Sequence, residues 1–468
     1  MDKAERYTKC TAFGGFESEI HAIIESYLPS NDKKKSKHGA VFTPVSMIDT
    51  LYDRFPSSVW SDPHRTWLDP ATGIGNFALI LFLRLMKGLH RVIPSSSKRA
   101  KHIIERMLFL VEIDKSSAKV CKEIFHKLCP SATPNLYEGD FLTLFAKQSP
   151  DWPKTFDAVV GNPPYNLGGT GLEGSKRTHI VFTERGLEML APRGYLAYIC
   201  PPSYRETETP MNALFHDGHF VFITIYGAAE TFSLFSIQGR VDGFIFQKGV
   251  SGTTIIDDEY GVIVKGLRLD LDRHLPNFGY TIFEKLWTKT QTLGAVEAFR
   301  NTQMSSIKAA TFGCGGKHKI LHLILEKGRR VFRSTKAHAL AHEPKIMVNG
   351  LGVPYVFYDK RGEYGPSQTP VIILKPSAPL VNFLQNEFFS FVAWGLRLTG
   401  NNNLPYLFDY VPKLGKEKNP YRTMEDIRRG LGLTTEEVSF VEKNFHHYTY
   451  QDVDLIEPCV RRITRKKT

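Results

Sequence analysis

The stretch Phe156-Asp157-Ala158-Val159-Val160-Gly161-Asn162-Pro163-Pro164-Tyr165-Asn166 decides how the rest of the chain is read. Phe156 to Val160 is short, apolar and β-branched at its end, the pattern of a buried strand. Gly161 then frees the backbone, and Asn162-Pro163-Pro164-Tyr165 follows at the strand's carboxyl end. Open α/β sheets place their ligand sites there. Two prolines fix two φ angles and remove two N–H donors. What remains is a set of rigid carbonyls beside one amide side chain and one aromatic ring. Such a group can accept hydrogen bonds from a flat, amino-bearing ring and stack on its face. With a methyl donor nearby, it would methylate an exocyclic amine. The plain alternative is a Pro-rich turn with an incidental Asn.

Outward from this strand the apolar pattern alternates. Strands are predicted at Thr66–Asp69, Met107–Val111, Asn135–Phe141 and Gly194–Cys200, with helices at 45–54, 78–89, 116–128 and 179–190. Two later strands, Phe220–Tyr226 and Val241–Gln247, are close enough to pair as an antiparallel edge hairpin. Strands and helices at this spacing predict a doubly wound, mostly parallel α/β sheet. The rhythm changes near 250–270. Beyond it a helix near 280–290, a hairpin of 345–348 with 355–359, a strand at 371–374 and a long helix over 379–397 predict an α+β domain. Thr434 and Glu437 are spaced as a capping box for a last helix.

With 468 residues, 42% hydrophobic and 23% charged, the chain is long enough for two or three globular domains. The net charge of +12 suits a polyanionic partner. Basic residues cluster at Lys33–Lys37, Lys98–Lys101, Lys327–Arg330 and Arg461–Lys467; the plain reading of each is a solvated loop or tail. Six scattered cysteines without a C-x-x-C pair argue against a disulfide framework or a zinc ribbon, and no metal site is read. The sequence shows no signal peptide, and its best apolar run, 77–86, is too short to span a bilayer. A non-secreted protein without a membrane partner is therefore expected, cytoplasmic or, for a viral source, in the host's nucleus or cytoplasm.

Asp69-Pro70-Ala71-Thr72-Gly73-Ile74-Gly75 follows the first strand and opens a helix. Its glycines let the backbone approach a ligand, and the helix N-terminus favours a carboxylate. Glu112, at the end of the second strand, is placed to accept both hydroxyls of a ribose, as in dinucleotide folds. Asp140 could accept from an adenine amino group, with Ile113 or Phe141 packing on the ring. An adenosine with an amino-acid tail is S-adenosyl-L-methionine. NAD is the competing ligand, but no Gly-x-Gly-x-x-Gly follows the first strand. The match at 169–174 sits in a polar loop with no strand before it, a decoy that is expected to be mobile and to close over substrate.

Phe42-Thr43-Pro44, Asp69–Phe77, Val111-Glu112-Ile113-Asp114, Glu138–Phe141 and Asn162–Tyr165 occur in this order. The sequence resembles the gamma-order N6-adenine DNA methyltransferases of restriction–modification systems over residues 35–250, and more loosely beyond. The resemblance implies a Rossmann-like, S-adenosylmethionine-dependent catalytic domain at 35–265, after an N-terminal helical extension at 1–34. It implies a DNA target-recognition domain at 266–468, double-stranded DNA as partner, and base flipping. It points to Asn162, Pro163, Pro164 and Tyr165 as catalytic. Thr43, Asp69, Ala71, Gly73, Gly75, Glu112, Ile113, Asp140, Phe141 and Asn162 are the expected cofactor contacts. Phe232 or Phe235 could face Tyr165 across the base, although core packing is the commoner role of such rings. A monomer is expected, with a cognate restriction endonuclease as a candidate partner. About 40 residues before Thr43 are too few for a fused nuclease, so no cleavage activity is expected. RNA adenine or protein glutamine methylation, or a silent nucleic-acid-binding subunit, are the alternatives.

Overall fold

The computed structural model describes residues 43–144, 152–165, 178–300, 314–350, 352–398, 405–415 and 418–456. The expected extension 1–34, the Lys33–Lys37 run, the loop 169–174, and the stretches 400–403 and 461–467 lie outside these residues. The chain divides into two compact units, Met1–Leu275 and Pro276–Thr468.

The first unit is built on nine strands: β1 (Trp67–Asp69), β2 (Leu108–Glu112), β3 (Asn135–Glu138), β4 (Phe156–Gly161), β5 (Leu190–Cys200), β6 (Gly218–Tyr226), β7 (Val241–Lys248), β8 (Thr254–Asp257) and β9 (Ile263–Leu267). Their order is β3-β2-β1-β4-β5-β7-β6-β8-β9. The strands from β3 to β5 are parallel, as the alternation predicts. β6 and β7 pair antiparallel as expected, but they are not the edge. β8 adds in parallel to β6, and β9 closes the sheet antiparallel to β8. The sequence hid these two strands because β9 is half exposed along its length and lacks a clean apolar period. β9 also runs across residue 265, so the sheet extends past the expected boundary.

Seven helices flank this sheet among the described residues: α1 (Val45–Tyr52), α2 (Asn76–Gly88), α3 (Ser96–His102), α4 (Lys115–Leu128), α5 (Thr178–Glu188), α6 (Pro210–Ala213) and α7 (Ala228–Phe235). α2 buries Phe77 to Phe82 and Leu85, so it reads as apolar nearly all round. It packs with α1 and the sheet into a core where Trp60 stacks on Trp67 at 5.5 Å and 7°. Asp114 caps α4 by accepting from Ser117 N at 2.8 Å.

In the second unit, β10 (Phe299–Arg300), β16 (Val371–Leu374), β13 (Lys345–Val348) and β14 (Val356–Asp359) form one sheet in that order. β15 (Tyr364–Pro366), β11 (Cys314–Leu325), β12 (Gly328–Ser334) and β17 (Asp454–Ile456) form another. The predicted hairpin pairs Lys345 with Asp359, and a buried ion pair of 2.8 Å ties its open end. Helix α8 (Tyr280–Leu293) precedes β10. The single helix expected over 379–397 is two, α9 (Ala378–Leu384) and α10 (Glu387–Gly395). Asn386 breaks it: its side chain accepts from Phe388 N and caps a new helix instead of continuing the old one. Helices α11 (Met424–Leu431) and α12 (Thr435–Asn444) both start with capping boxes, the second being the predicted Thr434–Glu437 pair.

Candidate active site

β1 is the middle of the five parallel strands, with β2 and β3 on one side and β4 and β5 on the other. The chain leaves β1 and β4, which are neighbours, towards opposite sides. Such a switch point opens a crevice at the strands' carboxyl ends. Asp69 ends β1 and Asn162 follows β4, so both border this crevice.

The β1–α2 loop is held in shape from below. Gly73 and Gly75 have φ of 57° and 105°, which other residues rarely adopt. A Cβ on Gly75 would stand 3.1 Å from Cys121 Sγ, whereas one on Gly73 would meet nothing within 4 Å. Gly75 thus serves packing against α4, and Gly73 faces open space. Asp69 is buried; its Oδ1 accepts from Ala71 N at 3.2 Å. Burial pushes its carboxyl up to about 7, an effect that the Ala71 amide and the nearby Thr72 hydroxyl only partly oppose.

Glu112 does more than the sequence implied. Its Oε2 accepts from Gly73 N and its Oε1 from Asp114 N, both at 2.7 Å. It therefore pins the glycine loop to the end of β2. Each carboxylate oxygen keeps one further lone pair for a ligand hydroxyl. Burial raises its pKa above the usual carboxylate value, against the pull of those amides. Asp140 caps a short turn through Leu142 N at 2.9 Å and keeps its second oxygen open. Phe141 is buried against Phe182 of α5, ring centres 5.2 Å apart, while Ile113 is 53% exposed. Of the two residues expected to pack on an adenine ring, only Ile113 is open to one.

Asn162 is clamped from one side. Its Nδ2 donates to Thr43 Oγ1 at 2.9 Å, and Thr43 O accepts from Asn76 Nδ2 at 3.3 Å. Pro44 occupies the cap position of α1 and makes no side-chain cap bond. Five buried polar atoms along these two loops make no hydrogen bond of good geometry: Asp69 Oδ2, Thr72 Oγ1, Asn76 Oδ1, Asn162 Oδ1 and the Tyr165 hydroxyl; of these, Thr72 lies close enough to the Asp69 carboxyl, and Asn162 to the Tyr165 hydroxyl, to act on its ionisation. Buried polar atoms in folded proteins are nearly always paired. These five lie together at the sheet's switch point, where a ligand could pair with them.

Pro163 is buried and Pro164 partly exposed. The Tyr165 ring packs partly against the core, edge-on to His179 at 6.4 Å, and burial pushes its hydroxyl well above the usual phenol range. His179, buried on α5, brings Nδ1 to 3.2 Å from Tyr165 O and Nε2 to 3.1 Å from Ser203 Oγ. Nothing in the sequence marked His179, Ser203, Thr72 or Asn76 for the site, although Thr72 and Asn76 stand in the quoted loop. β6 runs in the direction of β5, so α7 starts at the same sheet edge as Asn162. There Phe232 is 57% exposed and Phe235 is buried, which separates the two candidates. Two basic clusters are partly internal. Arg99 is buried and donates to Pro94 O, and Arg329 is buried and paired with Asp454 at 2.9 Å.

Residues 95–232 match the model of the Eco57I restriction-modification methylase family. The matched span contains Glu112, Asp140 and Asn162–Tyr165 and begins after the β1–α2 loop. A curated relative from Mycoplasma pneumoniae, named an uncharacterized adenine-specific methylase, is 26% identical over 349 residues, 56% of this chain and 82% of its own. Among solved structures, the M protein of the type I restriction enzyme EcoKI is 16% identical, with a TM-score of 0.37 over 46% of this chain and 47% of that one. The ATP-dependent type ISP restriction-modification enzyme LlaBIII, bound to DNA, is 12% identical, with a TM-score of 0.43 over 77% of this chain and 35% of that one. The chain thus spans about half of the first and a third of the second.

Proposed function

We propose that the chain transfers a methyl group from S-adenosyl-L-methionine to the N6 amino group of adenine at specific sites in double-stranded DNA, with the target base flipped out of the duplex. The observation that carries this reading is Asn162: one end of its amide is tied to Thr43, and the other, Oδ1, is a buried acceptor without a partner.

The chain's residues fit the cofactor. Asp69 Oδ2 and Asn76 Oδ1 are unpaired acceptors suited to an ammonium, and the Thr72 hydroxyl and the start of α2 suit a carboxylate. Glu112 keeps two acceptor directions for a ribose, and Asp140 and Ile113 remain open for an adenine. When bound there, the cofactor supplies an electrophilic methyl group on a sulfonium.

The remaining chemistry belongs to the protein. The N6 lone pair of adenine is delocalised into its ring and attacks poorly. Asn162 Oδ1 and the Pro163 carbonyl accept the two amino hydrogens, which draws the nitrogen towards tetrahedral geometry and frees its lone pair. As positive charge grows on N6, these fixed dipoles stabilise it without reorganising. The N6–methyl bond forms as the sulfonium–methyl bond breaks, and the proton leaves N6 after transfer. Tyr165 stacks on one face of the base and Phe232 on the other, since Phe232 is exposed at the same sheet edge.

In the same reading the second unit recognises the DNA sequence. Lys317, Lys327, Arg330 and Lys336 are exposed on and beside the β11–β12 hairpin, which suits phosphate contacts. Tritium transfer from labelled cofactor to duplex DNA, RNA and protein in parallel tests the whole. Label in DNA, recovered as N6-methyladenine, supports it; label in RNA or protein alone refutes it.

A further inference from the structure

Tyr165 ends the Asn162–Tyr165 loop, and its carbonyl is held from α5. His179, 4% exposed, brings Nδ1 to 3.2 Å from Tyr165 O. A carbonyl oxygen only accepts, so this nitrogen carries the proton and donates. The acceptor alone fixes the direction of the bond, whichever way the Ser203 hydroxyl turns. Pro163 and Pro164 have no N–H, so two of the loop's four residues offer no backbone donor by which to be tied down. The bond to the carbonyl at the loop's end supplies a tie that they lack. The imidazole also meets the Tyr165 ring edge-on, with centres 6.4 Å apart and planes at 83°. One side chain thus touches both the backbone and the ring of Tyr165, whose hydroxyl lies beside the Asn162 amide. We infer that His179 is a positioning residue: by holding the Tyr165 carbonyl it fixes the backbone that aims the Tyr165 ring at the flipped adenine, and with it the place of the target amine before Asn162. The inference rests on the methyltransferase reading above.

His179 is itself braced from behind. Its own carbonyl accepts from Thr183 Oγ1 at 2.7 Å. Nε2 lies 3.1 Å from Ser203 Oγ, in the short turn 203–205 that follows β5, and the same Oγ lies 3.0 Å from Met211 Sδ. The next two residues of that turn anchor it to the sheet. Tyr204 donates its hydroxyl, and Arg205 its Nε, to Asp242 Oδ2 of β7, each at 2.8 Å, and all three side chains are fully buried. Separating the ion pair would strand a buried charge, so the turn resists displacement. The sheet therefore backs Ser203, Ser203 backs the imidazole, and the imidazole holds Tyr165.

The test compares His179→Leu with His179→Asn in the full-length protein. Leu fills much of the space and has no donor. Asn places an amide N–H close to where Nδ1 stands, and the Tyr165 carbonyl selects that end of the amide because it repels the other. With tritiated cofactor and unmethylated genomic DNA, both saturating, His179→Leu is expected to lower kcat per folded molecule by roughly tenfold to a hundredfold, the scale of a small misplacement at a reacting centre. His179→Asn is expected to recover most of that loss. In a duplex with 2-aminopurine at the mapped target position, fluorescence should differ from the parent's with His179→Leu and return towards it with His179→Asn. Parental kcat in His179→Leu overturns the inference, as do equal losses in the two variants or a loss of kcat with unaltered fluorescence. Should His179→Leu fail to fold, a structure of the parent with cofactor and target duplex decides: Nδ1 still bonded to Tyr165 O with the base in place supports the inference, and a separated pair overturns it. A parent protein that methylates no DNA refutes the proposed function, and the inference with it, a result distinct from a loss confined to the variant.

Discussion

Replacing Asp69 with Asn removes a buried titrating group from the end of β1 while keeping the acceptor that Ala71 N uses. The folded protein raises the Asp69 carboxyl from 3.8 to about 7, mainly because burial penalises its charged form. A carboxyl whose pKa is raised on folding stabilises the fold fully below its unfolded value, and that stability is lost as pH climbs through its folded value. Between those two values the unfolded chain has already released the proton that the folded chain still holds. Stability therefore falls by about 1.4 kcal/mol per pH unit, for a total of about 4 kcal/mol by neutral pH. Chemical unfolding from roughly pH 5 to 7 reads this slope, and the difference between parent and Asp69→Asn isolates the one group. The parent should lose stability across the window more steeply than the variant by about 1.4 kcal/mol per pH unit. A cation seated at Asp69 Oδ2 would reverse the preference. Cofactor binding to the parent near neutral pH should then release a proton, detected by calorimetry in buffers of different ionisation enthalpy, and Asp69→Asn should release none. Parallel pH slopes in the two proteins would refute the buried, protonated carboxyl, and with it the reason for the proton release.

Asn162→Ala should abolish methyl transfer and spare cofactor and DNA binding; activity within about threefold of the parent would remove the amide from the chemistry. Glu112→Ala should weaken cofactor binding by roughly tenfold to a hundredfold, the worth of a charge-assisted hydrogen bond. Because it also releases the Gly73 and Asp114 amides, faster hydrogen exchange at both should accompany the loss. Unchanged affinity by calorimetry would mean that the ribose is held elsewhere. Tyr165→Phe should be nearly silent in stability and turnover, since it leaves unchanged the ring face that stacks on the base. Tyr165→Ala should lose a stacking contribution of about 1–3 kcal/mol, seen as altered 2-aminopurine fluorescence at the target position. If Tyr165→Ala melts lower while each folded molecule turns over at the parental rate, the ring serves packing and not the base.

The parallel half of the sheet was legible because its strands are apolar runs between turn-forming residues, and because Asp69–Gly75 and Asn162–Tyr165 follow two of them directly. The antiparallel extension was not. β9 alternates weakly, and its place beside β8 depends on β8 pairing in parallel with β6 past α7 and β7, a crossover that no local pattern announces. The helix over 379–397 misled for a related reason. Its apolar stripe continues through Asn386, and only the competition between a cap and a mid-helix side chain divides it.

At the site, the sequence marks residues that a backbone motif places and misses those that side-chain contacts recruit. Glu112 was read as a ligand residue from its strand end, yet half of its hydrogen-bonding capacity goes to backbone amides that shape the loop opposite. Phe141 stood in a promising tetrapeptide, but its ring turns inward onto Phe182. Phe232 and Phe235 are three residues apart on one short helix, and only the rotation of α7 against its sheet decides which ring is exposed. Thr43 and Asn162 are 119 residues apart in sequence, and their contact exists only because α1 and β4 converge on the same crevice. A motif fixes which atoms are available. Which of them remain without partners is settled by the contacts that satisfy the rest.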